Sequence, residues 1–135
     1  MNVPSKRSID ALAVGTMALP LVAAVLLWGS LPAEMAVHWS GGTPDTVASK
    51  PFATVGLFAF GVATVAFVRI APDSVTNTPG GTTLSVLFLG VTFGWVQTMV
   101  LVWNLGYRFD VTLALLPILA VAALLVAYAV RTGRR

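Results

Sequence analysis

Four long apolar runs dominate the chain: roughly Ala11 to Leu31, Phe52 to Ile70, Leu84 to Trp103 and Val111 to Val130. A helix rises 1.5 Å per residue and the hydrocarbon core of a bilayer is about 30 Å thick, so about 20 apolar residues span it. Each run is close to that length. A segment crossing lipid must satisfy its own backbone hydrogen bonds, which leaves helices or a closed barrel. A barrel strand alternates apolar and polar residues over about 10 positions. These runs are continuously apolar, so they read as helices.

Composition agrees. Apolar residues make up 57% of the 135 and charged residues 10%, against about 45–50% and about 25% in soluble domains. A water-soluble fold of this size has no means of burying so much apolar surface. The net charge of +3 comes from basic residues at the ends of the runs, with no basic patch interleaved with polar residues. That is the pattern of membrane anchoring and not of nucleic-acid binding. The chain contains no cysteine and one histidine, which excludes thiol chemistry and a multi-histidine metal site. No cofactor is expected.

The first run follows Lys6 and Arg7, as a signal peptide would, but it exceeds the apolar core of about 7–15 residues that a signal has. It reads as a retained span. Pro20 within it and Pro117 within the fourth run each remove a backbone donor and bend a helix. The turn-forming pairs Pro72-Asp73 and Pro79-Gly80-Gly81 separate the second and third spans. Gly106 to Asp110 is short enough to make the third and fourth a helical hairpin. The expected fold is therefore an all-α, four-span antiparallel bundle, a single domain over 1–135, with one large loop at 32–51.

Basic residues set the orientation, because they favour the cytoplasmic side. With four spans, Lys6, Arg7, Arg69, Arg131, Arg134 and Arg135 share one side, and Lys50 and Arg108 the other. Six against two gives cytoplasmic termini in a cell membrane. Trp28, Trp39, Trp103 and Tyr107 fall at the opposite boundary, where amphipathic rings favour the headgroup layer.

The outward loop then holds His38 together with Glu34, Asp45 and Lys50. Gly41-Gly42 permits positive φ and a reversal, and Thr43-Pro44-Asp45 fits a turn. Asp45 also suits the cap of a short helix leading into the second span, and Lys50 suits snorkelling at its head. A well-built turn accounts for Pro44, Asp45 and Lys50 without any ligand. The functional alternative groups Glu34, His38, Trp39, Asp45 and Lys50 as a ligand- or partner-binding surface. An imidazole titrates near neutral pH, so a carboxylate beside it makes a pH-sensitive contact. One histidine and two carboxylates match no strong metal-ligand spacing. Ser40 or Ser49 with His38 and Asp45 has no nucleophile-elbow sequence around it.

The third run is the least lipid-like. Gly90 and Gly94 are one helical turn apart, the small-xxx-small pattern of close helix contact, and Gln97 near mid-span is expected to hydrogen-bond to another helix. The spans carry no ionisable residue in their middle; Asp10, Arg69, Asp110 and Arg131 sit at ends. Ion-coupled transport normally needs a charge within the span.

The pattern Leu31-Pro32, His38-Trp39, Gly42, Pro44-Asp45 and Ser49-Lys50, followed at once by a span, resembles a bacterial and archaeal membrane module, domain of unknown function 1648. The module is found at the N-terminus of SdpI-like immunity proteins, which protect a cell from its own secreted peptide toxin. The resemblance covers about Ala11 to Ile70. Ala36 stands where the family often has proline, and Val47 where it often has an aromatic. The resemblance implies a non-enzymatic membrane protein that senses, binds or confers resistance to an envelope-active peptide through the 32–51 loop. The alternative is a structural or accessory subunit packed against a larger membrane protein.

The orientation has a direct test. Single cysteines at Ser40 and Ser74, treated with a membrane-impermeant thiol reagent in intact cells, should label at 40 and not at 74; the reverse would invert the topology.

Overall fold

The computed structural model describes residues 5–71 and 81–133. Four helices are long and apolar enough to cross a membrane, the organisation of a multi-pass membrane protein. The first, α1 (Lys6–Leu26), begins at Ser5, whose hydroxyl accepts the Ser8 N–H at 3.2 Å, and ends in a 3₁₀ turn at Trp28–Ser30. The second starts with a π-helical turn, Phe52–Gly56, and continues as α2 (Leu57–Ile70). The third is α3 (Gly81–Asn104) and the fourth α4 (Val111–Gly133). The turn pairs Pro72-Asp73 and Pro79-Gly80, with Ser74, Arg134 and Arg135, lie outside the described residues; Gly81 opens α3.

Two expectations are corrected. The first span starts and stops about one turn early: the helix runs from Lys6 and gives way after Leu26, because the chain must tighten and reverse ahead of Pro32. More important, the chain is mostly helical and not all-α. The 32–51 segment contains an antiparallel hairpin, β1 (Glu34–Ser40) and β2 (Thr43–Ser49). Gly41 and Gly42 have φ of 56° and 81°. Positive φ at both positions of a two-residue connection matches the right-handed twist of paired strands, so the glycine pair is a hairpin turn and not a loop reversal. Asp45 is therefore a strand residue, and it caps no helix.

The helices are organised around α3. In its span 39% of residues are buried, against 6% for α4. It packs most extensively on α1, next on α2, and only lightly on α4. Glycine makes the α1 contact possible. A Cβ on Gly90 would lie 2.7 Å from Ala13 Cα, and one on Gly94 would lie 2.7 Å from Thr16 O. Thr16 O is the carbonyl whose i+4 partner is Pro20, which has no N–H to give it. The proline of α1 and the glycine of α3 thus meet at one place, the freed Thr16 oxygen. Below this contact, Ile9, Ala13, Met17, Val65 and Val86 form one buried cluster. Above it, Ala24, Leu31, Met35, Ala53, Val100 and Leu101 form another, reaching into the base of the hairpin. At the end of the bundle away from the hairpin, Arg69 Nε donates to Asp10 Oδ1 at 2.7 Å and ties α2 to the start of α1.

Because backbone atoms face Gly94, they cannot swing aside for a larger side chain. Gly94→Leu should lower the unfolding temperature in detergent by several degrees. Gly15→Leu, where an added Cβ meets nothing within 4 Å, should melt like the parent. Equal melting of the two variants would place the Gly94 face against lipid.

Candidate functional site

The hairpin is fixed to the end of α3 by one amide side chain. Asn104 Oδ1 accepts the Ala36 N–H at 2.8 Å, and Asn104 Nδ2 donates to Ala36 O at 2.9 Å and to Val100 O at 2.7 Å. The side chain therefore pairs with β1 as a neighbouring strand would, satisfying both backbone groups of Ala36. Met35 is fully buried beneath the hairpin and Ala36 nearly so. Trp39 packs edge-on against Trp103 (centroids 5.5 Å apart, 71°), and Trp103 edge-on against Phe109 (5.5 Å, 88°). Such T-shaped pairs contribute about 0.5–1.5 kcal/mol each beyond area burial. Arg108 lies over the Trp103 ring at 4.7 Å, and its Nη1 donates to Trp103 O at 2.5 Å, covering the C-terminal end of α3. Asp110 accepts the Leu113 N–H at 3.0 Å and starts α4.

At the root of the hairpin, the Lys50 N–H donates to Ala33 O at 2.8 Å. Lys50 Nζ donates to Trp28 O at 2.8 Å and lies 5.2 Å from the centre of the Trp28 ring. Lys50 thus closes the base of the hairpin onto the turn that ends α1.

The polar cluster is at the other end, near the tip. The strand register runs regularly from Glu34↔Ser49 to Ala36↔Val47. It slips by one residue at His38↔Thr46 and returns at Trp39↔Pro44. Pro44 has no N–H for the ladder, and a local irregularity next to it is the expected outcome. Such irregularities re-aim side chains. Here Asp45, left without a partner in the register, turns its carboxylate across the strands. His38 Nδ1–H donates to Asp45 Oδ1 at 2.6 Å, and Ser40 Oγ–H donates to Asp45 Oδ2. Thr46 Oγ1 adds a longer bond of 3.2 Å. The Ser40 hydrogen bond, followed by that of His38, holds the Asp45 carboxyl below its ordinary value of 3.8. With Nδ1 committed to Asp45, the neutral ring carries its lone pair on Nε2. The His38 side chain is 66% exposed and that of Asp45 40%, so the pair faces outward from a rigid base.

The five residues expected to form one surface therefore divide by place. His38 and Asp45 meet. Trp39 lies on the bundle side against Trp103. Glu34 and Lys50 lie at the root, at the far end of the strands from the tip. Gly90 and Gly94 pack on α1. Gln97 is buried, but its Nε2 finds no acceptor, which departs from the expected bond to another helix. Sequence reasoning missed Asn104, Arg108 and Phe109. Asn104 closes an apolar run and passes for a helix end; nothing in one sequence reveals that it reaches a strand 68 residues away. Among the described residues, no group of three or more His, Asp or Glu comes together as a metal site.

Residues 15–62 match the family model of a domain of unknown function, DUF1648. No curated protein and no solved structure matches the chain. The matched segment begins at Gly15 in α1, includes the whole hairpin and ends at Val62 in α2. The cluster of His38, Ser40 and Asp45 lies inside it. The Asn104 clamp and the Trp103–Phe109 aromatics that hold the hairpin in place lie outside it, at the end of α3 and in the connection that follows.

The low pKa of Asp45 has a sign. Folding keeps the proton off, so the unfolded chain binds it first as pH falls. The contribution to stability is complete above 3.8 and is lost as pH drops through the lower folded value. The ¹³C shift of the Asp45 carboxyl should titrate below 3.8, and Ser40→Ala should move it up further than Thr46→Val does. Equal titration in parent and Ser40→Ala would remove Ser40 from the cluster.

Proposed function

We propose that the protein is a non-enzymatic module of the cell membrane. Its termini are cytoplasmic, and it presents the hairpin outside the cell to bind or sense an envelope-active peptide. The observation that carries this reading is the exposed His38–Asp45–Ser40 group on a hairpin clamped to α3. A carboxylate held ionised, beside an imidazole and a hydroxyl, recognises cationic and amide groups by charge-assisted hydrogen bonds. The rigid base reduces the ordering cost of binding. The Ser40 hydroxyl is engaged by Asp45 and not by a base that would activate it, which favours recognition over nucleophilic chemistry. The resemblance to the N-terminal module of SdpI-like immunity proteins supports resistance to a peptide toxin as the process served.

A second reading, an accessory subunit of a larger membrane protein, is favoured by a different feature. An apolar groove of about 400 Å³ runs between α1 and α3, lined by Leu19, Pro20, Ala23, Trp95 and Thr98 among others. It adjoins one of about 200 Å³ between α3 and α4 that shares Trp95 and Thr98. Gly90 and Gly94 pack on α1, and this groove is a concave apolar surface in which a partner helix could seat.

The two readings separate in one experiment. Partners are recovered from native membrane with the parent, with His38→Ala and Asp45→Ala, and with Leu19→Trp, which fills the groove. Expression and thermal stability are measured for each. The binding reading expects the hairpin variants to melt within about 1 kcal/mol of the parent and to lose the partner, while Leu19→Trp retains it. Loss only with Leu19→Trp would give the function to the groove. Loss in proportion to folded protein would make the hairpin a structural turn.

A further inference from the structure

Two helices depart from regular geometry, and a third carries an unpaired polar side chain, around one cavity. In α1, Pro20 interrupts the hydrogen-bond ladder. The second span opens with the π-helical turn Phe52–Gly56. In α3, Gln97 is 6% exposed and its Nε2 is buried without an acceptor. All three features line the same small cavity, of about 10 Å³, with Pro20, Met35, Ala53, Thr54, Gln97 and Val100 in its walls. The hairpin closes it from above through Met35.

A primary amide buried among apolar side chains with an unused N–H is destabilising. Such groups in folded proteins are nearly always satisfied by protein or by ordered water. The cavity has about the volume that a single water needs, and empty cavities are ones with apolar walls only. This one has a second polar wall. Thr54, also 6% exposed, donates its hydroxyl hydrogen to Lys50 O at 2.8 Å, which leaves the Oγ1 lone pairs free to accept. Thr54 lies within the π-helical turn and is buried there, and such turns are frequent at functional sites.

We propose that this cavity is a binding site for one ordered water, which accepts a hydrogen bond from Gln97 Nε2 and donates one to Thr54 Oγ1. The water completes a continuous chain. Gln97 on α3 bonds the water, the water bonds Thr54, Thr54 bonds Lys50 O, and the Lys50 N–H bonds Ala33 O at 2.8 Å. The middle of the helix cluster is thereby joined to the root of the hairpin through polar contacts on both sides of the Lys50 backbone. The inference is independent of what the hairpin binds.

The sequence makes the test selective, because Gln97 is the one glutamine in the chain. Protein labelled with side-chain ¹⁵N-glutamine, in detergent micelles, gives a single NH₂ pair. A rotating-frame experiment then separates direct contact with water from proton exchange by the sign of the cross-peak. The parent should show a direct cross-peak between the Gln97 NH₂ and water. Thr54→Val, which keeps the shape and removes the acceptor, should weaken it several-fold, and Thr54→Ser should retain it. A parent spectrum with no direct water cross-peak overturns the site whether or not any variant folds. A cross-peak of equal strength in folded Thr54→Val overturns the role of Thr54 and with it the polar chain.

Discussion

The close approach of α3 to α1 is the contact on which the rest of the structure depends. Between helices in lipid, burial of apolar side chains supplies little net attraction, because the tails are equally apolar; packing and hydrogen bonds must do the work. Gly90 and Gly94 let the two backbones approach until an added carbon would overlap Ala13 and Thr16. That approach makes α3 the central helix, with α1 on one side and α2 on another. It also fixes where the C-terminal end of α3 emerges. Asn104, Trp103 and Arg108 are all at that end, so the placement of the hairpin follows from a contact about three turns below it.

The consequence for function is a division between display and support. The exposed polar cluster of His38, Ser40 and Asp45 is within residues 15–62, the segment that matches the family model. The side chains that hold their strand still, Asn104 and Trp103, are beyond it. A two-stranded hairpin alone is marginal in water. This one gains a third partner in the Asn104 amide, a buried anchor in Met35, and an aromatic contact from Trp39. Asp45 can be exposed and yet have fixed geometry because Met35, Ala36 and Trp39 of the paired strand β1 are held against the helices.

The helical content was legible in the sequence because lipid imposes a simple rule: about 20 apolar residues, backbone satisfied internally. The proximity of Gly90 and Gly94 on one face was legible for the same reason of helical period. The hairpin was not, although its signal was present. Gly41-Gly42 between Met35-Ala-Val-His-Trp and Thr46-Val-Ala is a two-residue turn between strand-forming residues, but the prolines at 32, 44 and 51 read more strongly as loop. Proline at position 44 is tolerated because the strand is an edge and the register slips beside it. His38 and Asp45 could be grouped by residue type, whereas Glu34 and Lys50 belonged to the same list only because they are near in sequence. Strand geometry separates them from the tip. Asn104 and Gln97 show the limit most clearly: both are single polar residues in an apolar helix, and only the fold tells that one is a clamp and the other lines a cavity.

The central claim is that the hairpin is a fixed display, held by the side chain of Asn104. Hydrogen exchange of the Ala36 amide tests it most directly, because that N–H points to Asn104 Oδ1 and not to β2 in a free ribbon. In detergent-solubilised protein, the Ala36 amide should exchange as slowly as the amides at the C-terminal end of α3, and Asn104→Leu should speed it by two orders of magnitude or more, since net hydrogen bonds of this kind contribute about 0.5–1.5 kcal/mol each and an orphaned group costs about 1–3 kcal/mol. Exchange of Ala36 at the rate of an unprotected strand in the parent protein, unchanged by Asn104→Leu, would contradict the account.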